Sequence, residues 1–270
     1  MKNVLNVLLL VFAVALSGPA AADTTWVLGP TPPSGVAVTG YANTGTGSTA
    51  NTQIVELQGS SNLRWYSGGW GINNLDGGCS TSGCGDPGEL PTTPPEHAID
   101  NQARYEMLLV NFSALGKSVA LKNVTLGSIS NDSDLTVLAY TAAGAPTLAG
   151  KKWADLNQAS SGWSVIGNYS GSSNTFSQTI NTSSTYSSYW LIGAYNPLAG
   201  GSAGFSSTSY DYIKIFSVAG AVCANSALAC RPPTTVAEPS SAMLVGLALV
   251  GLMGWPGRRR LIAMLRARSA

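Results

Sequence analysis

The chain of 270 residues carries a formal net charge of +1, a figure set by its two ends. Setting aside Lys2, Glu238 and the arginines at 258, 259, 260, 266 and 268 leaves eight basic against twelve acidic side chains, with no basic cluster. That balance excludes nucleic acid as a partner, because its binding rests on Lys and Arg neutralising phosphates.

At the N-terminus, Lys2 precedes the apolar run Val4 to Leu16 and the small residues Ala20-Ala21-Ala22. A positive residue, a short apolar core and a small-residue cleavage site make residues 1–22 a secretory signal peptide, too short in its apolar part to span a bilayer. The exported region 23–231 is rich in Gly, Ser, Thr and Asn, as in secreted β-proteins with many turns. Its length suits one large all-β domain better than two small ones.

Runs with period-two alternation, separated by turn residues, predict strands at Val36 to Tyr41, Gln53 to Leu57, Leu63 to Tyr66, Arg104 to Phe112 and Val119 to Leu126. Further strands are expected at Leu135 to Tyr140, Trp163 to Tyr169, Phe176 to Ile180, Tyr189 to Tyr195 and Tyr212 to Val218. In Arg104 to Phe112, Glu106, Leu108, Val110 and Phe112 share one face, and Tyr105, Met107, Leu109 and Asn111 the other. Only Lys152 to Asn157 hints at a helix, of one or two turns. Nine or ten strands predict a jelly-roll-like β-sandwich.

Arg64-Trp65-Tyr66-Ser67-Gly68-Gly69-Trp70 interleaves aromatic rings with small polar residues. Trp65 and Trp70 are candidates for stacking on sugars, with core packing the competing expectation. The segment from Asp76 to Asp100 also holds Asp86, Glu89 and Glu96, so Asp76, Asp86, Glu96 and Asp100 are candidate calcium ligands, calcium being a cation that takes carboxylate and loop carbonyl oxygens. The competing expectation is a solvated loop in which Asp100 caps a turn; Asn131-Asp132-Ser133-Asp134 reads as a turn by the same reasoning. His97 is the only histidine and no GxSxG elbow accompanies it, so no catalytic residues are assigned and the chain is not read as an enzyme. A glycosidase would need two carboxylates, for which Glu89, Glu96 and Glu106 are the candidates.

The four cysteines fall into two local pairs, Cys79 with Cys84 and Cys223 with Cys230. In an oxidising compartment these spacings favour nearest-neighbour disulfides over a four-cysteine zinc site.

After a linker over 232–239, Ser240 to Gly257 is an apolar run of eighteen residues without charge. As a helix it would extend ~27 Å, close to the thickness of a bilayer's hydrocarbon core. Arg258, Arg259 and Arg260 then form a membrane stop and, with the tail 258–270, are expected on the cytoplasmic side. Leu90-Pro91-Thr92-Thr93 lacks the glycine of a cell-wall sortase motif and lies far from this helix.

The motif Ala237-Glu238-Pro239, the apolar helix and the arginine triplet resemble the PEP-CTERM sorting signal of Gram-negative bacteria. Ala237 stands where the family motif has proline, and ten residues follow the arginines where many members end. Segments such as Pro95-Glu96-His97-Ala98-Ile99-Asp100-Asn101, Asp132-Ser133-Asp134-Leu135-Thr136-Val137 and Tyr189-Trp190-Leu191-Ile192-Gly193-Ala194-Tyr195-Asn196 resemble the ectodomain of the exosortase-dependent surface proteins within that family. The resemblance implies recognition by an exosortase, an inner-membrane-anchored precursor, and a final place at the cell surface or in the extracellular matrix. It further implies a structural or adhesive role associated with exopolysaccharide, for which a carbohydrate-binding module is the alternative.

Overall fold

The computed structural model describes residues 23–43, 53–57, 62–74, 97–102, 104–201, 209–223 and 230. The expected signal peptide, sorting motif, membrane helix and arginine stop lie outside these residues, as do Cys79, Cys84, Asp76, Asp86, Glu89 and Glu96. Among the described residues, no helix is long and apolar enough to cross a membrane.

Thirteen strands form among them: β1 (Asp23–Val27), β2 (Ala37–Asn43), β3 (Ile54–Leu57), β4 (Leu63–Tyr66), β5 (Gly69–Ile72), β6 (Ile99–Asp100), β7 (Glu106–Asn111), β8 (Val119–Asn131), β9 (Leu135–Tyr140), β10 (Trp163–Tyr169), β11 (Ser177–Thr179), β12 (Tyr189–Ala194) and β13 (Asp211–Val222). The count exceeds the nine or ten expected because β1, β5 and β6 carry too little alternation to be read locally. All three are short segments held against β13, so their partner defines them.

The strands make two antiparallel sheets, so the chain is all-β and sandwich-like. In the first, β11, β8, β13, β5 and β4 lie in that order; β1 and β6 share with β5 the same long neighbour, β13. β1 pairs with residues 217–221 of β13, β5 with Ile215, and β6 with Tyr212 and Ile213. In the second sheet the order is β10-β9-β12-β7-β2-β3. From β7 to β13 the chain changes sheet at every connection except the hairpin from β9 to β10.

Leu108, Val110, Val137, Trp190 and Ile192 from the second sheet pack with Leu121, Val124, Leu126, Ile213 and Ile215 from the first, closing the core between them. The central part of the outer face of the second sheet is buried too. Tyr41, Met107, Leu109, Leu138 and Leu191 point away from the main core, where Leu148, Trp153, Leu156 and Ala199 cover them. The two faces read from Arg104 to Phe112 are therefore both apolar for separate reasons, one serving each core.

The covering segments contain two short helices. In Trp153–Leu156, the Asp155 carboxylate accepts the backbone N–H of Lys152 at 2.8 Å, fixing the first turn. In Pro197–Gly200, proline occupies the start and Asn196 Oδ1 accepts the N–H groups of Leu198 and Ala199, both at 3.1 Å.

Cys223, just beyond β13, forms a disulfide with Cys230 across a Cα–Cα distance of 5.8 Å. Non-reducing peptide mapping is expected to recover both cysteines in one fragment. Replacing the pair with serine should lower stability by about 2–3 kcal/mol, because so short a loop removes little entropy from the unfolded chain.

Candidate functional site

The sequence-derived candidates divide between two regions. Trp65 and Trp70 face each other across the β4–β5 pair with ring centroids 6.1 Å apart, edge to face. Trp70 is buried in the main core, while Trp65 is half-buried and also meets Phe216 at 5.5 Å. Of the two proposed sugar-stacking rings, Trp70 is thus a core residue. Trp65 alone keeps partial exposure.

On β4, Arg64 and Tyr66 alternate with the core-packed Leu63 and Trp65, and so project from the other face. The Tyr66 ring is stacked on His97 at 5.2 Å and 7°. The Arg64 guanidinium carbon lies 5.5 Å, and the Lys214 ammonium 5.2 Å, from the centroid of the same ring. His97 thus has a structural place beside a tyrosine.

The second region is a polar network at one end of the sandwich, where several connections converge. Asp100 is buried, and its Oδ1 accepts the N–H of Gln102 at 2.8 Å while its own N–H donates to Glu106 at 3.3 Å. The local backbone N–H on its carboxylate is the turn-capping arrangement. The other three calcium candidates, Asp76, Asp86 and Glu96, lie outside the described residues.

What the network does bring together is Asp132, Asp134 and Asp211, with one oxygen from each inside a span of 4.8 Å. Asp211 is fully buried at the start of β13. Its Oδ1 accepts the Asp134 N–H at 2.7 Å and its Oδ2 accepts Asn101 Nδ2 at 2.7 Å; its own N–H returns to Asn101 Oδ1 at 2.8 Å. Asn101 Nδ2 also donates to the Tyr195 carbonyl at 3.1 Å. Asp134 Oδ1 takes the Gly171 N–H at 2.8 Å, and Asp132 Oδ1 takes the Ser133 N–H at 2.9 Å. Gly171 sits against Ser133 so closely that any side chain there would collide.

Each of the three carboxylates has at least one oxygen that accepts a backbone or amide N–H. The arrangement works as a clasp joining the β6–β7, β8–β9 and β10–β11 connections to the start of β13. Burial is the main reason that the Asp211 carboxyl is pushed up to about 7, with the charges of Asp134 and Asp132 adding to it against the hydrogen bonds from the Asp134 N–H and Asn101. Sequence reading identified Asn131 to Asp134 as a turn, but missed Asp211, 77 residues beyond Asp134. Nothing local marks Asp211, because its partners arrive only when β13 pairs along β8. Compared with protein families, curated proteins and solved structures, the chain matches none.

Proposed function

We propose that this chain is an exported surface or extracellular-matrix protein of a Gram-negative bacterium, sorted by an exosortase through Ala237-Glu238-Pro239 and the helix and arginines that follow. Its β-sandwich serves a structural or adhesive role in association with exopolysaccharide, and no catalytic activity is assigned to it. The observation that carries most weight is the disulfide between Cys223 and Cys230, a bond that belongs to oxidising compartments such as the periplasm and cell exterior.

The order β7-β12-β9-β10 in one sheet, facing β11-β8-β13 in the other, supports a jelly-roll arrangement. So do the alternating crossings between sheets, broken by a single hairpin. Sorting is tested by Glu238→Ala. The variant is expected to accumulate as a full-length, membrane-bound precursor, visible by blotting fractions beside the shortened wild-type form. Equal processing of the two would reduce the tail to a plain anchor.

A further inference from the structure

We propose that Arg64 and Lys214, set around Tyr66 on the outer face of the first sheet, form a binding site for a carboxylate-bearing polysaccharide. Three observations converge on it. Both cations crowd a single aromatic ring, at 5.5 and 5.2 Å from its centroid. Neither forms an ion pair among the described residues, where Lys122 with Asp23 supplies one. The exported region is acidic overall, so two cations sharing one ring run against the composition of their surroundings.

The site is also held in place. Arg64 lies opposite Gly71 in the β4–β5 register, and the Lys214 side chain passes beside Gly71 from β13. The His97 carbonyl occupies the space where a side chain at 71 would project, so any larger residue there would displace it. His97 itself adopts φ 59°, a left-handed conformation that few residues other than glycine accept. These contacts put the imidazole flat against Tyr66 and fix the ring that both cations share.

Lys214 is half-buried and its ammonium is pushed below its ordinary pKa by loss of solvent. An anion delivered there would restore the solvation lost on burial, while the exposed Arg64 would add a planar, forked donor suited to a carboxylate. Among the described residues, β4 is the last strand of its sheet. Two cations are too few for the many phosphates of a nucleic acid but sufficient for one acidic sugar unit at a time. The inference rests on the proposed exopolysaccharide association only for the carrier of the charge; the need for an anion comes from the cluster itself.

The test measures binding of polygalacturonate to the full-length chain in detergent, beside fully methyl-esterified polygalacturonate and inorganic phosphate. Polygalacturonate is expected to bind and to weaken as salt is raised, while the methyl ester, with the same backbone and no charge, should not bind. Lys214→Met should weaken binding at least tenfold and Arg64→Ala several-fold, with Arg64→Lys retaining most of it. Arg64 is exposed, so its variants report on the site without disturbing the core, and unchanged near-UV circular dichroism verifies this. No binding by the parent, equal binding of the methyl ester, or full affinity in both Lys214→Met and Arg64→Ala would each overturn the proposal. Full displacement by phosphate at low millimolar concentration would overturn the polymer and leave a small-anion site. None of these outcomes touches the sorting reading, which stands or falls on processing of the Glu238 variant.

Discussion

Replacing Trp153 with alanine is expected to destabilise the protein by about 3–5 kcal/mol, the range for removing a fully buried large aromatic side chain. Trp153 has no exposed surface and lies in the smaller apolar cluster outside the second sheet. Its Nε1 is 3.1 Å from both Asn43 Oδ1 and the Tyr105 carbonyl, which ties the covering segment to the ends of β2 and β7. Asn43 Oδ1 also accepts the Tyr105 N–H at 2.8 Å, so the loss would loosen a shared junction as well as leave a void. Trp153→Phe, which keeps most of the apolar volume but not the donor, should cost a smaller amount, about 1–2 kcal/mol. Urea unfolding followed by near-UV circular dichroism checks both. An alanine variant unfolding at the wild-type midpoint would mean that the outer layer is not part of the cooperative unit.

A second large effect is expected from pH. Asp211 has its carboxyl raised from 3.8 to about 7, first by burial and then by the Asp134 and Asp132 charges. The titratable groups facing this cluster are those two carboxyls and Tyr195, whose phenol is itself raised by burial and by the charge of Asp134. Between roughly pH 4 and 7 the folded protein holds a proton on Asp211 that the unfolded chain has released. Stability contributed by that proton is complete below pH 4, is lost as pH rises through 7, and changes no further above it. The total is on the order of 4 kcal/mol, from a shift of about three pKa units.

Asp211→Asn should flatten this dependence, since the amide cannot ionise. The variant gives up one hydrogen bond, because its amide would face Asn101 Nδ2 where the carboxylate accepted. The diagnostic is therefore the slope between pH 4 and 8 rather than the stability at one pH. Parallel slopes in wild type and variant would assign the pH response to other carboxylates.

The sequence by itself determined most of the strands, and it did so where one side of a strand packs against a partner sheet. Leu63 to Tyr66, Leu135 to Tyr140 and Trp163 to Tyr169 coincide with β4, β9 and β10, and the hint at Lys152 to Asn157 with the helix Trp153–Leu156. The Cys223–Cys230 pairing was equally legible, since a short spacing leaves little choice of partner. Tertiary structure alone decided that the centre of the second sheet is buried on both faces, because an apolar residue records burial without naming what covers it. It also decided the fate of residues whose chemistry depends on distant neighbours. Trp70 went to the core and Asp100 to a turn, whereas Asp211 gained its raised pKa from burial and from the charges of Asp134 and Asp132 in the β8–β9 connection. Arg64 and Lys214, 150 positions apart, meet at one ring only because β5 lies between β4 and β13 and carries a glycine at the crossing. Alternation and loop length act between near neighbours and can be read along the chain, but desolvation and charge proximity act through space and exist only after the strands have paired.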